Sequence, residues 1–276
     1  MLNSHIYMTI FYFFFFILNL RYHFTIIFLL TKIVCIGDNM KVLILNSGLG
    51  SRMGNETKKH PKCMTNLTEK ETIISRQLDL LYENGLNDIV ITTGPFEKEL
   101  IDYVNSLNFD LNIKFINNDK YRETNYIYSI YKAREELNDD IILMHGDLVF
   151  SDEVLKMVME SKNSVMTVSS TVDLPEKDFK AVISDDNKIV KVGVDFFDHA
   201  LACQPLYKLN KEDWLLWLNN IENYINSGKN KCYAENAFNE ISDKVNIYPL
   251  DIENMLCGEI DNIEDLKIMK KRLWRM

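Results

Sequence analysis

Between Met40 and Asp147, short apolar runs alternate with stretches of helical periodicity, and few folds accept that order. The run "KVLILN" is almost wholly apolar, the pattern of a strand buried on both faces of a parallel sheet. Next, "TIISRQLDLLYENG" sets Ile74, Leu78 and Leu81 at helical spacing and stops at Gly85. Strand "DIVITTG", helix "KELIDYVNSL", strand "NIKFINN", helix "TNYIYSIYKAREEL" and strand "DDIILMHGD" follow. This βαβαβαβ order predicts a doubly wound, mostly parallel α/β sheet. Beyond Val154 the rhythm is less regular. A helix "EVLKMVMES" and a strand "NSVMTVSST" precede a hairpin in "AVISDDNKIVKVGVD" that turns at Asp185 to Lys188. Helix "KEDWLLWLNNIENYINSG", the segment "AENAFNEIS", strand "VNIYPLDI" and helix "IEDLKIMKKRL" complete the chain. No internal repeat or low-complexity linker interrupts residues 40–276, which read as one domain with a mixed, partly antiparallel C-terminal portion.

Residues 1–39 stand apart as a hydrophobic N-terminal extension. Ile6 to Leu20 is apolar except for Thr9 and Asn19, and Arg21, Tyr22 and His23 interrupt before "FTIIFLL". That run is shorter than the roughly 20 residues a spanning helix needs. No small-residue cleavage site follows it, as a signal peptide requires. A mis-set start in AT-rich coding DNA, a membrane anchor and a buried helix are the three readings of this segment. A membrane is a partner only on the second of them.

Composition narrows the function. With 47% hydrophobic and 26% charged residues, the chain has the balance of a globular protein with a sizeable core. Its net charge of −9 disfavours nucleic acid, whose phosphate backbone demands a basic footprint. The five cysteines form no CxxC or metal-like cluster and read as reduced thiols of a cytoplasmic protein.

In open α/β sheets a ligand sits beyond the carboxyl ends of the strands, and polar clusters fall at such ends here. After the first strand comes "NSGLGSRMG", in which glycines let backbone N–H groups approach phosphates. It lacks the third glycine and the distant acid of a dinucleotide fingerprint, so the loop alone is equally readable as a tight structural turn. Arg52 and then Lys62, placed after Pro61, add cations suited to phosphoryl oxygens, although Lys62 also fits a solvated basic run. After "IILMH", Asp147 offers a carboxylate suited to a hard cation such as Mg²⁺, or only a turn residue. Near the C-terminus "CGEIDNIEDL" holds Asp261, 114 residues from Asp147, with Glu259 close by; helix capping by Asp261 or Asn262 is the alternative.

Taken together, "LILNSGLGSRMGNETKKHPKCM", "GDLVF" and "CGEIDNIEDL" resemble the signature elements of the nucleotidyltransferase family with a GT-A-like fold. Asn46 and Ser47 stand where that pattern more usually has two alanines, and Asn262 stands where threonine is usual. The segments "YRETNYIYSIYKAREEL" and "CYAENAFNEI" resemble the choline-phosphate, aminoethylphosphonate and phosphoglutamine-type cytidylyltransferase branch. The resemblance implies a Rossmann-like doubly wound mixed sheet of the nucleotide-diphospho-sugar transferase type. It implies transfer of CMP from CTP to a small phosphorylated or phosphonate acceptor, with pyrophosphate released. Leu45, Asn46, Ser47, Gly48, Leu49, Gly50 and Ser51 would then hold the nucleotide, with Gln77 and Gly94 near the base and ribose. Arg52, Lys62 and Asp147 would be catalytic, with Asp147 and Asp261 holding Mg²⁺. Asn125 and Ser129, four apart on one helix face, and Glu235 would meet the acceptor. For the first pair helix capping is the bland alternative, and for Glu235 a surface acid.

Other residues read as structural. Trp214 and Trp217 sit at helical spacing with Leu218 and Ile221 and are expected in the core, while His60, His145 and His199 have no partner at metal or triad spacing. Three other functions compete. A sugar-1-phosphate or molybdopterin-type nucleotidyltransferase shares the loop and metal logic, and a nucleotide panel separates it. A GT-A glycosyltransferase gives no reason for G-x-G-x-R followed by P-K. A non-catalytic nucleotide-binding regulator has no need of the paired acids.

Overall fold

The computed structural model describes residues 40–275, so the expectations placed on residues 1–39 lie outside the described residues. Strand β1 (Met40–Leu45) opens at Met40, and α1 (Ile73–Glu83), β2 (Asp88–Thr93), α2 (Glu97–Ser106), β3 (Asn112–Asn117), α3 (Tyr126–Ala133) and β4 (Asp140–His145) follow in the expected order. Strand β1 pairs in parallel with β2 on one side and β4 on the other, and β3 extends the sheet beyond β2. The continuous apolar pattern of β1 has a direct cause. Val42 and Ile44 face a layer containing Ile74 and Leu78 of α1 and Leu100 of α2. Leu43 and Leu45 face the opposite layer, with Ile127 and Ile130 of α3. Each face of the strand is therefore covered by helices. Thr72 caps α1 in a reciprocal arrangement with Ser75, which explains the sharp start of that helix.

The second half comprises β5 (Leu148–Phe150), α4 (Asp152–Glu160), β6 (Ser164–Ser169), β7 (Lys180–Ile183), β8 (Ile189–Gly193), β9 (Ala200–Leu209), α5 (Lys211–Asn226), α6 (Ala234–Asn239), β10 (Ile247–Asp251), β11 (Cys257–Glu259) and α7 (Ile263–Leu273). Strand β9 was not expected from the sequence. It runs antiparallel between β4 and β6 in the middle of the main sheet. Pro205 disguises it, because proline has no N–H to give a ladder. The ladder with β6 slips register between Met166 and Thr167, opposite Gln204 to Tyr207, and that irregularity accommodates the proline. The expected hairpin is β7–β8, and the short antiparallel pair β5–β11 forms a second sheet.

Trp214 and Trp217 are buried on α5, stacked edge to face at 5.9 Å. Their indole N–H groups donate to the carbonyls of Leu137 and Ala234 at 2.8 and 2.9 Å, so both are core residues as expected. Among the described residues no helix is long and apolar enough to cross a membrane.

Candidate active site

The sheet order places a topological switch point between β1 and β4. From β1 the chain builds outward through β2 and β3, then returns to β1's other edge as β4. Such a reversal opens a crevice beyond the strand ends. A cleft of about 420 Å³ lies there, lined by Leu45 to Arg52 and Lys62 from the first loop and by His145, Gly146 and Asp147 from the end of β4. Asp261 and Glu259 reach it from the C-terminal segment, and Asn125 and Ser129 from α3.

Lys62 sits at the centre of the charges. Its Nζ donates to Asp147 Oδ2 at 2.5 Å and to Asp261 Oδ1 at 2.8 Å. Arg52 adds a two-pronged contact to Asp261, with both N···O distances 3.0 Å. Burial alone would lower the Lys62 pKa, but the two carboxylates outweigh it and raise it above the ordinary lysine value. Burial likewise opposes ionisation of Asp147, and Lys62, followed by His145, reverses the sign and holds its carboxyl below the usual range.

The pairing of β5 with β11 explains how residues so distant in sequence meet. Glu259 lies opposite Leu148 in that ladder, and the Ile260 N–H donates to the Asp147 carbonyl at 3.0 Å. Asp261 is thereby set beside Asp147. Asn262, not Asp261, caps α7: its Oδ1 accepts from the N–H groups of Glu264 and Asp265 at 2.8 and 3.2 Å. Asn replaces the usual Thr without loss of the cap, and Asp261 is left to face Lys62.

Asn125 and Ser129 both line the cleft, and both also serve the backbone or its neighbours. Asn125 caps α3 by accepting from the Tyr126 N–H at 2.7 Å, and Ser129 Oγ accepts from Asn118 Nδ2 at 3.0 Å. Gln77 and Gly94 are not among the cleft-lining residues. Gln77 points into the core, where its Nε2 donates to the carbonyls of His145 and Leu148 at 2.9 and 2.8 Å and so braces the turn carrying Asp147. Gly94 underlies the loop, since a Cβ there would lie 2.4 Å from the Ser47 carbonyl oxygen. Glu235 is neither cleft-lining nor a surface acid. It is 1% exposed, with its carboxylate accepting from the hydroxyls of Tyr126 and Tyr207, because α6 turns it inward behind Tyr126.

His145 corrects the structural reading made of it. Its Nδ1 lies 2.8 Å from Glu259 Oε1, a partner 114 residues on that no local spacing could reveal. Burial disfavours the imidazolium, but the hydrogen bond and charge of Glu259 raise the pKa to about 9. Burial raises the Glu259 pKa, and Asp147 adds to it. His145, Asp147 and Glu259 each offer one ligand atom, all within 4.8 Å of one another. Two of these three donors are carboxylates, which suit a hard divalent cation. Sequence reasoning also missed an aromatic wall. Phe179 meets Tyr233 at 5.1 Å, Tyr233 meets Tyr126 at 5.8 Å, and Tyr126 meets His145 at 4.9 Å. Tyr126 and Tyr233 fall inside segments singled out from the sequence, whereas Lys177, Asp178 and Phe179 lie in an irregular stretch with no periodic signal.

The chain is similar in sequence and in fold to known proteins. The chain is 26% identical over 246 residues to choline-phosphate cytidylyltransferase of Streptococcus pneumoniae, covering 85% of this chain and 98% of the relative. It is 30% identical over 135 residues to CTP:phosphoglutamine cytidylyltransferase of Campylobacter jejuni, covering 47% of this chain and 52% of that one. The solved structure of the S. pneumoniae CTP:phosphocholine cytidylyltransferase superposes with a TM-score of 0.69 at 23% identity, covering 85% of this chain and 99% of that one. The fold is thus the Rossmann-like, GT-A-like fold of nucleotidyltransferases, as the motifs implied. A further match covers residues 58–201, from the approach to Lys62 through Asp147 into β9, and follows the family model described as "Domain of unknown function (DUF6564)"; the chain belongs to that family.

Proposed function

We propose that the chain transfers CMP from CTP to a small phosphorylated or phosphonate acceptor and releases pyrophosphate. One observation carries this reading: a single ammonium, Lys62, is shared by Asp147 and Asp261 beside a glycine loop at the switch point. Paired acids bridged by one ammonium beside an anion-binding loop suit phosphoryl transfer, where positioning and charge neutralisation supply most of the catalysis. The named cytidylyltransferase relatives support the choice of CTP.

An acceptor phosphate or phosphonate oxygen is already anionic at neutral pH, so it attacks the α-phosphorus without a general base. The new P–O bond forms as the bond to the bridging oxygen of pyrophosphate breaks, and that oxygen leaves with the bonding pair. Amides of Gly48 to Ser51 cradle the triphosphate and Arg52 neutralises the departing pyrophosphate. Lys62 spreads charge at the α-phosphate. Asp147 and Asp261 would hold Mg²⁺, which supplies Lewis-acid neutralisation of phosphoryl charge. Asn125 and Ser129 meet the acceptor, and the aromatic wall of Tyr126 and Tyr233 covers its organic part.

The test combines the protein with CTP, Mg²⁺ and either phosphocholine or 2-aminoethylphosphonate, following pyrophosphate and the CDP-linked product by mass spectrometry. Mg²⁺-dependent formation of either product is expected. Pyrophosphate release confined to UTP or dTTP with a sugar 1-phosphate would replace this reading with the sugar-nucleotide one. Nucleotide binding without turnover on any acceptor would favour a regulator.

A further inference from the structure

Between β6 and β7 the chain runs along the cleft as an irregular strap, residues 173–178. Lys177 and Asp178 of the strap line the cleft, as does Phe179, which meets Tyr233 edge to face at 5.1 Å. Among the described residues, the only hydrogen bonds made to the strap come from one side chain. Lys180 Nζ donates to the carbonyls of Pro175 at 2.5 Å and Asp178 at 3.1 Å.

Lys180 is fully buried and makes no ion pair among the described residues. Its ammonium instead lies 4.3 Å from the centre of the Phe197 ring, in the segment between β8 and β9. Two carbonyls and one ring face therefore hold a charge that is costly to take out of water. An apolar side chain would fill the position without that cost. What only the ammonium can do is donate to two carbonyls at once and draw an otherwise unbonded segment onto the sheet. Its own base is fixed. Lys180 opens β7 opposite Gly193 of β8 and Ala202 of β9, and the Cys203 N–H donates to the Phe179 carbonyl at 2.9 Å.

Resting on the cytidylyltransferase reading, we propose that Lys180 is a positioning residue for the acceptor. It touches no substrate. It holds the strap in place, so that Lys177, Asp178 and Phe179 complete the wall begun by Tyr126 and Tyr233, against which the organic part of the acceptor packs. Contacts of that kind bind the ground state and the transition state alike, so their loss raises KM and leaves kcat in place. The nucleotide side of the cleft, carried by the first loop, does not depend on the strap.

Two measurements on the full chain test this in Lys180→Met, which keeps an unbranched stem and removes the donors. Hydrogen exchange followed by mass spectrometry should show faster exchange in the peptide spanning the strap, with the other peptides unchanged. Steady-state kinetics use CTP, Mg²⁺ and whichever of phosphocholine or 2-aminoethylphosphonate the wild type converts. The acceptor KM should rise about tenfold, while kcat and the CTP KM each stay within about twofold. If Lys180→Met fails to fold, Phe197→Leu decides. It removes only the ring beside the ammonium from a half-exposed position and should raise the acceptor KM about threefold, again without moving the CTP KM. Unchanged exchange in the strap overturns the inference. So does faster exchange with an unchanged acceptor KM, or an equal rise in both KM values, and in each of these cases the transferase reading stands. If the wild type converts neither acceptor with CTP, the transferase reading itself falls and this inference falls with it.

Discussion

Lys62 holds two carboxylates that would otherwise repel each other across the cleft. Lys62→Ala is therefore expected to lower turnover by roughly 10²- to 10³-fold, the range seen when one preorganised charge stabiliser is removed. Circular dichroism of the variant should remain that of the folded chain, because the cluster lies at the solvent-facing ends of β4 and β11. Wild-type rates of pyrophosphate release in that variant would remove Lys62 from the mechanism. Glu235 makes a different prediction. Burial raises its pKa above the ordinary carboxylate value, and the charge of His145, with the hydrogen bonds from Tyr126 and Tyr207, only partly offsets that. The folded state therefore binds its proton more tightly than the unfolded chain does. Its contribution to stability is full below the unfolded pKa of 4.5 and is lost as pH rises through the folded value. Glu235→Gln should flatten that part of the profile, read as urea midpoints at pH 4.5 and above; an unchanged slope would place the titration elsewhere.

At the scale of elements, the site depends on how strand ends meet. Strand β11 clips onto β5, and that short ladder, extended by the Ile260 N–H to the Asp147 carbonyl, carries Asp261 to Asp147. The first loop rests on the end of β2, where Gly94 admits the Ser47 backbone. Gly94→Ala places a methyl carbon against a backbone carbonyl, which cannot swing aside as a side-chain tip can. It is expected to weaken CTP binding at least tenfold with little change in the far-UV spectrum, measured by titration and circular dichroism. Unaltered affinity would mean that the loop shifts without consequence. Periodicity revealed most of these elements, since each helix along the first half shows its buried stripe in the sequence. It did not reveal β9, whose proline and mixed burial imitate a loop, nor β11, which is three residues long.

For the whole molecule, the two helical layers on the sheet carry the stability. Trp217 contacts Trp214, Tyr207 and Phe238 within one of them. Trp217→Ala should cost about 3–5 kcal/mol, checked by chemical denaturation, because the surrounding aromatics cannot collapse into the space left. The boundary at Met40 carries its own prediction. We propose that residues 40–276 are the catalytic unit, so a chain started at Met40 should unfold in one cooperative transition and keep its pyrophosphate release. Loss of either would show that residues 1–39 belong to the enzyme.

By itself the sequence determined the doubly wound order, the glycine loop, and the candidacy of Arg52, Lys62, Asp147 and Asp261. Those signals are local: alternating apolar runs, turn residues and short motifs that depend on neighbours a few residues apart. Only the tertiary structure decided which of the remaining polar residues share the cleft. It turned Glu235 inward, drew Gln77 beneath the β4 turn, joined His145 to Glu259 and lined up Phe179, Tyr233 and Tyr126. Each of those outcomes depends on strand pairing and on side-chain burial between segments far apart in the chain, and no local pattern encodes them.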